Sequence, residues 1–377
     1  MSTLPNLHQN REEFALVIQE TAHRLGIDES MAEKDYWVTW CINYLFAHSQ
    51  WKDHLAFKGG TCMSKAYGLI DRFSEDIDVI LDWRLLGYEK SEPLRPSTIS
   101  QRERFKKKIN QLSCDFLAET MLPVIQNDIS LFLGSEFKVT LSDENPPSIH
   151  FHYPKIFTQN PYILSSVKLE IGPLSQWSQL GYQLISSMID GVFPEVNIFA
   201  PIPVLSVSPE RNFWEKISIL QNISHLRDKD EQKPMGIRTS RHYYDVYKIL
   251  KSPYKKRCVE QSQLFYDAMD FSARFYRVNT FDQSNAKLSD LQLTIPASLM
   301  SDLRSDYHSM TSMLYGDKPS FDEIYDTILK FQEEIRQKEK GTYKKLDDVI
   351  SQARIAYKQK STSIDSARLR SFDYPRK

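Results

Sequence analysis

Asp76 and Asp78 stand two apart in a run, Asp76-Ile77-Asp78-Val79-Ile80-Leu81, whose composition predicts a strand. Side chains alternate across a strand, so the two carboxylates project to one side while Ile77 and Val79 enter a core. Like charges held that close cannot both stay ionised without a cation or a proton between them. With oxygen donors only, the fitting occupant is Mg²⁺, and carboxylate-bound Mg²⁺ serves phosphoryl or nucleotidyl transfer. Gly59-Gly60-Thr61 lies upstream, ahead of a short amphipathic segment. Glycines admit close backbone approach, and N–H groups there, with the Thr61 hydroxyl, could hold phosphate oxygens at a helix start. An isolated Asp-x-Asp is commonly solvated or a cap, and Gly-Gly is commonly a turn. Strands on both sides with a helix between make the combination point to a phosphate and metal site.

Other elements must hold this stretch in place. Residues 9–48 read as two helices broken near Gly26-Ile27-Asp28, with Asp28 or Ser30 capping the second. The second carries Glu33-Lys34-Asp35-Tyr36-Trp37, then Val38, Cys41, Ile42 and Leu45 at helical spacing, which reads as core. Residues 85–100 read as a loop, and 101–122 as a helix whose Arg102, Arg104, Lys106, Lys107 and Lys108 form a solvated face more readily than a phosphate-backbone rail. Three strands are expected over 129–141, 148–156 and 163–171, separated by turns at Asp143 to Pro147 and at Gln159-Asn160-Pro161. In the last strand Val167, Leu169 and Ile171 take one face and Lys168 and Glu170 the other, which makes Glu170 the candidate third carboxylate. His150 and His152 share a face but lack a partner at metal spacing, so they read as ordinary strand residues. A loop-rich connection over 173–207 leads to a domain boundary near 205. Ser208-Pro209-Glu210 then opens a helix carrying Phe213, Trp214, Glu215 and Lys216. Further helices are expected over 256–278, 298–315, 320–340 and 343–360.

Composition narrows the class. The chain has 377 residues and a formal net charge of −1, so any nucleic-acid surface is a local patch rather than a global bias. Its four cysteines stand far apart without metal spacing, which argues for reduced thiols, a cytoplasmic protein and no structural zinc. No run approaches membrane-spanning length.

Lys58-Gly59-Gly60-Thr61, Lys65, Arg72 and Ser74-Glu75-Asp76-Ile77-Asp78 resemble the first motif of the AbiEii/AbiGii nucleotidyltransferase toxins, a branch of the DNA polymerase beta-like superfamily. The EKDYW string, the FWEK string ending at Lys216 and Arg241-His242-Tyr243-Tyr244-Asp245 resemble further segments of that family. The resemblance implies an α+β fold: a polymerase beta-like domain over 1–205, with a mixed, mostly antiparallel sheet flanked by helices. A helical C-terminal domain over 206–377 would contribute Lys216 and Asp245. It implies catalysis by Asp76, Asp78, Glu170, Lys216 and Asp245. One or two Mg²⁺ ions would rest on Asp76, Asp78 and Glu170, and the NTP on Gly59, Gly60, Thr61, Lys65, Arg72, Ser74, Lys216 and Arg241. The EKDYW charges would be structural. The implied function is that of a type IV, AbiE-like toxin from a toxin–antitoxin or abortive-infection pair, with an antitoxin encoded nearby. Such a toxin transfers a nucleotide to an RNA acceptor, transfer RNA being the leading candidate. Transfer to a protein hydroxyl, nucleotide binding without turnover and metal-dependent nuclease activity are the alternatives.

Overall fold

The computed structural model describes residues 4–89, 96, 98–144, 146–158, 164–175, 178–229 and 235–369. A seven-stranded sheet carries the site. Its strands are β1 (Leu55–Lys58), β2 (Asp76–Leu81), β3 (Lys138–Leu141), β4 (Ile149–His152), β5 (Val167–Gly172), β6 (Leu180–Ile185) and β7 (Ile202–Val207), in the order β3-β4-β5-β2-β1-β7-β6. Pairings β1–β7 and β2–β5 are parallel and the others antiparallel, so the sheet is mixed and mostly antiparallel. Register decides the chemistry here: Asp78 stands opposite Lys58 on one side and Glu170 on the other. Ile77, Val79, Leu169 and Ile171 are buried in the core beneath them.

The N-terminal helices are α1 (Arg11–Leu25) and α2 (Glu29–Asn43), the break being Gly26 in the left-handed region at φ 63°. Asp28 caps α2 by accepting the Ser30 N–H at 2.9 Å. The glycine-rich turn opens α3 (Gly59–Lys65). The basic helix α4 (Ile99–Asp115) continues through a π-helical stretch, Phe116–Met121, into α5 (Leu122–Leu133). Residues 129–133, expected in a strand, therefore end a helix, because Ile125 and Ile129 bury one stripe at i,i+4 spacing. The expected strands 148–156 and 163–171 shorten to β4 and β5. The Gln159-Asn160-Pro161 turn lies outside the described residues, as does Asn145 of the other turn.

The connection expected over 173–207 instead holds β6, α6 (Met188–Val192) and β7. Its signal was inverted: β6 turns Tyr182 and Leu184 to solvent, and β7 contains Pro203. The expected boundary near 205 falls inside β7.

After the sheet come α7 (Pro209–Lys229), α8 (Ser240–Leu250), α9 (Tyr254–Glu260), α10 (Gln263–Phe275), α11 (Met300–Met310) and α12 (Phe321–Leu369). The helices expected over 320–340 and 343–360 are one, continuous through Gly341, and 256–278 is two. Of the basic tail from Arg368, residues 370–377 lie outside the described set.

Apolar residues form two main clusters, one between the sheet and α1, α2 and α5, the other within α7–α12. Met63, Leu69 and Ile70 of the central stretch belong to the second, so the chain between α3 and β2 is packed by the helical region. A bridge of Arg72 to Leu314, with the Phe73 N–H donating to Met313 at 2.8 Å, clasps the lead-in to β2.

Candidate active site

The glycines are explained by side chains that occupy the space above them. Gly59 has φ 79°, and a Cβ there would lie 2.0 Å from Asp78 Oδ2; one on Gly60 would lie 2.5 Å from Arg72 Nη2. Both positions let a functional side chain come down onto α3. The Gly59 N–H donates to Asn212 Oδ1 at 3.3 Å, tying the turn to the start of α7.

A cleft of about 160 Å³ opens above the turn, bounded by Asp76, Asp78 and Glu170 on one wall and by Lys216, Arg241 and His242 on the other. Asp76 and Asp78 are adjacent on the strand face, and Asp76 Oδ1 is buried with no hydrogen-bond partner among the described residues. Burial, then Glu75 and Glu170, raises the Asp76 carboxyl. Burial lifts Asp78 to about 6, with Glu170 and Asp76 pushing the same way and Lys58 opposing. Glu170 goes down despite burial, because Lys168 Nζ sits 2.8 Å from its Oε1. Asp76 and Asp78 are thus both raised while Glu170 is lowered, so the cost of crowding these acids falls on the pair on β2.

Facing the acids is a nest of cations built around Asp245. That carboxylate is fully buried; Arg72 donates to it from Nε and Nη2, both at 2.8 Å, and Lys216 Nζ lies 2.8 Å from Oδ2. Two cations on one anion leave a net positive charge, and Asp245 is held far below the usual carboxylate range against burial, mainly by Arg72 and Lys216. Arg241, four residues before Asp245 on α8, reaches Asp76 at 4.0 Å instead of pairing with Asp245. His242 is pushed down to about 3 by burial, then by Lys216 and Arg241, so it stays neutral, with an unpartnered Nδ1 among the described residues.

Two expected nucleotide contacts point elsewhere. The Thr61 hydroxyl donates to the backbone oxygen of Asp76, pinning β2 to α3. Lys65 lies on the far face of α3, its Nζ 2.6 Å from Asp35 Oδ1 and 2.9 Å from Thr39 Oγ1. Six residues along a helix from Gly59 is a rotation of roughly 240°, which turns Lys65 away from the phosphate side. Ser74 lines the cleft, beside Gly60.

The EKDYW charges are structural, as expected, and each has a partner. Glu33 accepts the Ile156 N–H at 2.8 Å, Lys34 bonds Glu75 at 2.6 Å, and Asp35 accepts the Met188 N–H at 2.7 Å. Through Glu75, α2 fixes the residue next to Asp76.

Asn212 and Glu215 were given no role from sequence, yet they line the cleft together with Lys58 and His242 of the family-like segments. Lys58 was legible as the residue before the glycines, since a strand that pairs with Asp78 must present it there.

Two half-buried carboxylates, one with an orphaned buried oxygen, fit a hard divalent cation. Among the described residues no group of three or more His, Cys, Asp or Glu stands ready to hold a metal, and Glu170 is engaged with Lys168. Paired acids facing a positive nest suit the handling of a metal-escorted polyphosphate, which places the protein among phosphoryl- and nucleotidyl-transfer enzymes. Comparison makes the class specific: residues 43–327 match the family described as Nucleotidyl transferase AbiEii toxin, Type IV TA system, and the chain belongs to that family. Membership implies an NTP substrate and a cognate antitoxin. Among solved structures, MenT4, a nucleotidyltransferase toxin from Mycobacterium tuberculosis, aligns over 86% of this chain and 96% of its own, at 13% identity and a TM-score of 0.38. JHP933 from Helicobacter pylori aligns over 86% of this chain and 99% of its own, at 13% identity and a TM-score of 0.41. No curated protein matches the sequence. Among the described residues no helix is long and apolar enough to cross a membrane.

Proposed function

We propose that this toxin acts in the cytoplasm, transferring a nucleoside monophosphate from an NTP to a hydroxyl of an RNA acceptor, with transfer RNA the first candidate, and releasing pyrophosphate. The observation that carries this reading is the opposition of the paired acids Asp76 and Asp78 to the Arg72–Asp245–Lys216 nest across one small cleft. Asp76 and Asp78 would hold Mg²⁺, with Glu170 joining when it leaves Lys168. Bound Mg²⁺ would supply charge neutralisation on the phosphates and a lowered pKa for the attacking hydroxyl. Lys216 and Arg241 bind the triphosphate oxygens, and Asp245 keeps Lys216 and Arg72 oriented without reorganisation at the moment of reaction. Gly60 leaves room for Arg72 to approach, and Ser74 orients the phosphates beside it.

An RNA acceptor is supported by α4. Its Asn110 and Ser113 line a cavity of about 570 Å³ that also reaches Asp78 and Glu170. The same helix carries Arg102, Arg104, Lys106, Lys107 and Lys108, so a phosphate backbone could follow it to the acids. The reading as a purely solvated face gives way to this one because the helix borders the site.

The test is transfer of label from each α-labelled NTP with Mg²⁺, with and without total bacterial tRNA, with Asp76→Ala run alongside. Label on RNA that vanishes in the variant is expected. Label on protein instead would move the acceptor to a protein hydroxyl, and no label with any NTP would overturn the transfer reading.

A further inference from the structure

A second cavity, of about 400 Å³, adjoins the cleft and shares Lys58, Glu215 and Ile219 with it. It lies between α7 and α10 and has a different chemistry from the acidic wall. Ile219, Ile223, Leu264 and Phe271 make an apolar surface. Into that surface are set a few oriented polar groups, the pattern of a site for a flat, partly polar ligand.

Two of its residues are held in place by others. Asn222 donates to Ser272 Oγ at 3.0 Å and accepts from Gln283 Nε2 at 3.2 Å. Gln283 is 3% exposed and is itself fixed by the Val278 N–H at 2.9 Å. This sets the orientation of the Asn222 amide and leaves its second amide hydrogen for a ligand. Tyr276 is 51% exposed, large for an aromatic side chain with a fixed position. Its hydroxyl donates to the Leu174 oxygen at 3.1 Å, and Lys106 Nζ stands 5.9 Å from its ring centroid.

The two spaces meet along α7: Glu215 and Ile219 line both, while Lys216 faces the cleft and Asn222 faces the cavity. A ligand with its phosphates at Lys216 would therefore pass over Glu215 and Ile219 to reach Asn222. The larger cavity beside α4 has three acids, Glu144, Glu170 and Asp78, over the proposed metal side; the cavity between α7 and α10 also has two, Glu215 and Asp267, but sets them beside Ile219, Ile223, Leu264 and Phe271.

We infer that the cavity between α7 and α10 takes the nucleobase of the incoming nucleotide, with Tyr276 as its stacking platform and Asn222 reading its edge. The inference rests on the nucleotidyl-transfer reading and adds the residues that select the base. An exposed ring offers any base a stacking face, whereas a fixed amide N–H discriminates by what the base presents to it.

The test compares wild type, Tyr276→Ala and Asn222→Asp in the full chain. It reads Mg²⁺-dependent binding of ATP, GTP, CTP and UTP, binding of inorganic tripolyphosphate, and the ratios of kcat/KM for transfer. Asn222→Asp keeps the shape and the bond from Gln283 but replaces a donor with an acceptor. It is expected to shift the ratios at least about tenfold toward bases presenting an exocyclic amine. Tyr276→Ala is expected to weaken every NTP about tenfold and leave tripolyphosphate within twofold. Ratios unchanged in Asn222→Asp, or tripolyphosphate weakened as much as the NTPs, would overturn the base pocket while wild-type transfer still stood. Absence of wild-type transfer with intact, base-selective NTP binding would overturn the transfer reading and leave the pocket.

Discussion

Two runs of charge, the buried Glu33-Lys34-Asp35 on α2 and the half-buried Asp76/Asp78 on β2, are built to opposite specifications. On α2 every charge is answered: Glu33 by backbone N–H groups, Lys34 by Glu75 and the Leu164 carbonyl, Asp35 by Lys65 and Met188. On β2 Asp76 keeps an unpartnered buried oxygen, and both acids are raised above the ordinary carboxylate range. Satisfied buried charge makes a scaffold, whereas unsatisfied buried charge stores binding energy for a ligand of opposite sign.

That contrast can be broken most forcefully from the scaffold side. Lys34→Ala leaves Glu75 buried with only Arg238 and a backbone N–H, and is expected to cost about 3 kcal/mol in denaturant unfolding. Little loss there would mean that α2 does not hold the lead-in to the acids.

Next in size is the site side. Asp76→Asn is expected to slow transfer by at least about 10²-fold while leaving the melting temperature unchanged or higher, since a like charge is removed. A variant that is both slow and unfolded would erase the distinction between the two runs.

Gly59→Ala probes the junction between them. At φ 79°, with a Cβ 2.0 Å from Asp78 Oδ2, alanine is strained and displaces the acid. A loss of about 1–2 kcal/mol is expected, together with weakened Mg²⁺ affinity by calorimetry.

The gentlest probe is pH. Asp78 titrates near 6 in the fold against 3.8 for its ordinary value, so its folded-state pKa is raised. The stability it contributes is fully present below about 3.8 and is lost as pH rises through about 6. Metal-free protein should therefore lose a modest part of its stability across that window, and saturating Mg²⁺ should abolish the loss. Thermal melts at several pH values, with and without Mg²⁺, check this. A flat metal-free profile would show that Asp78 is not raised in the fold.

Much of the site was readable before folding was considered. The Asp76/Asp78 strand, the glycine turn, the helix start at Ser208-Pro209 and the core face of β5 follow from alternation and capping, which act over a few residues. Thr61 and Lys65 were misplaced because their partners, Asp76 O and Asp35, depend on which face of a seven-residue helix meets which neighbour. Strands β6 and β7 were hidden because Tyr182 and Leu184 face solvent and Pro203 interrupts the run, so only their pairing with each other and with β1 reveals them.

Local chemistry thus set which residues are candidates for a metal and phosphate, since charge type and a two-residue spacing are properties of the chain. Folding settled which of those residues are available. Arg72 and Asp245 lie 173 positions apart, and nothing short of packing the helical region onto the lead-in to β2 brings them to 2.8 Å. Once joined, they hold Lys216 over the acids, and the positive nest that faces Asp76 exists only in the folded protein.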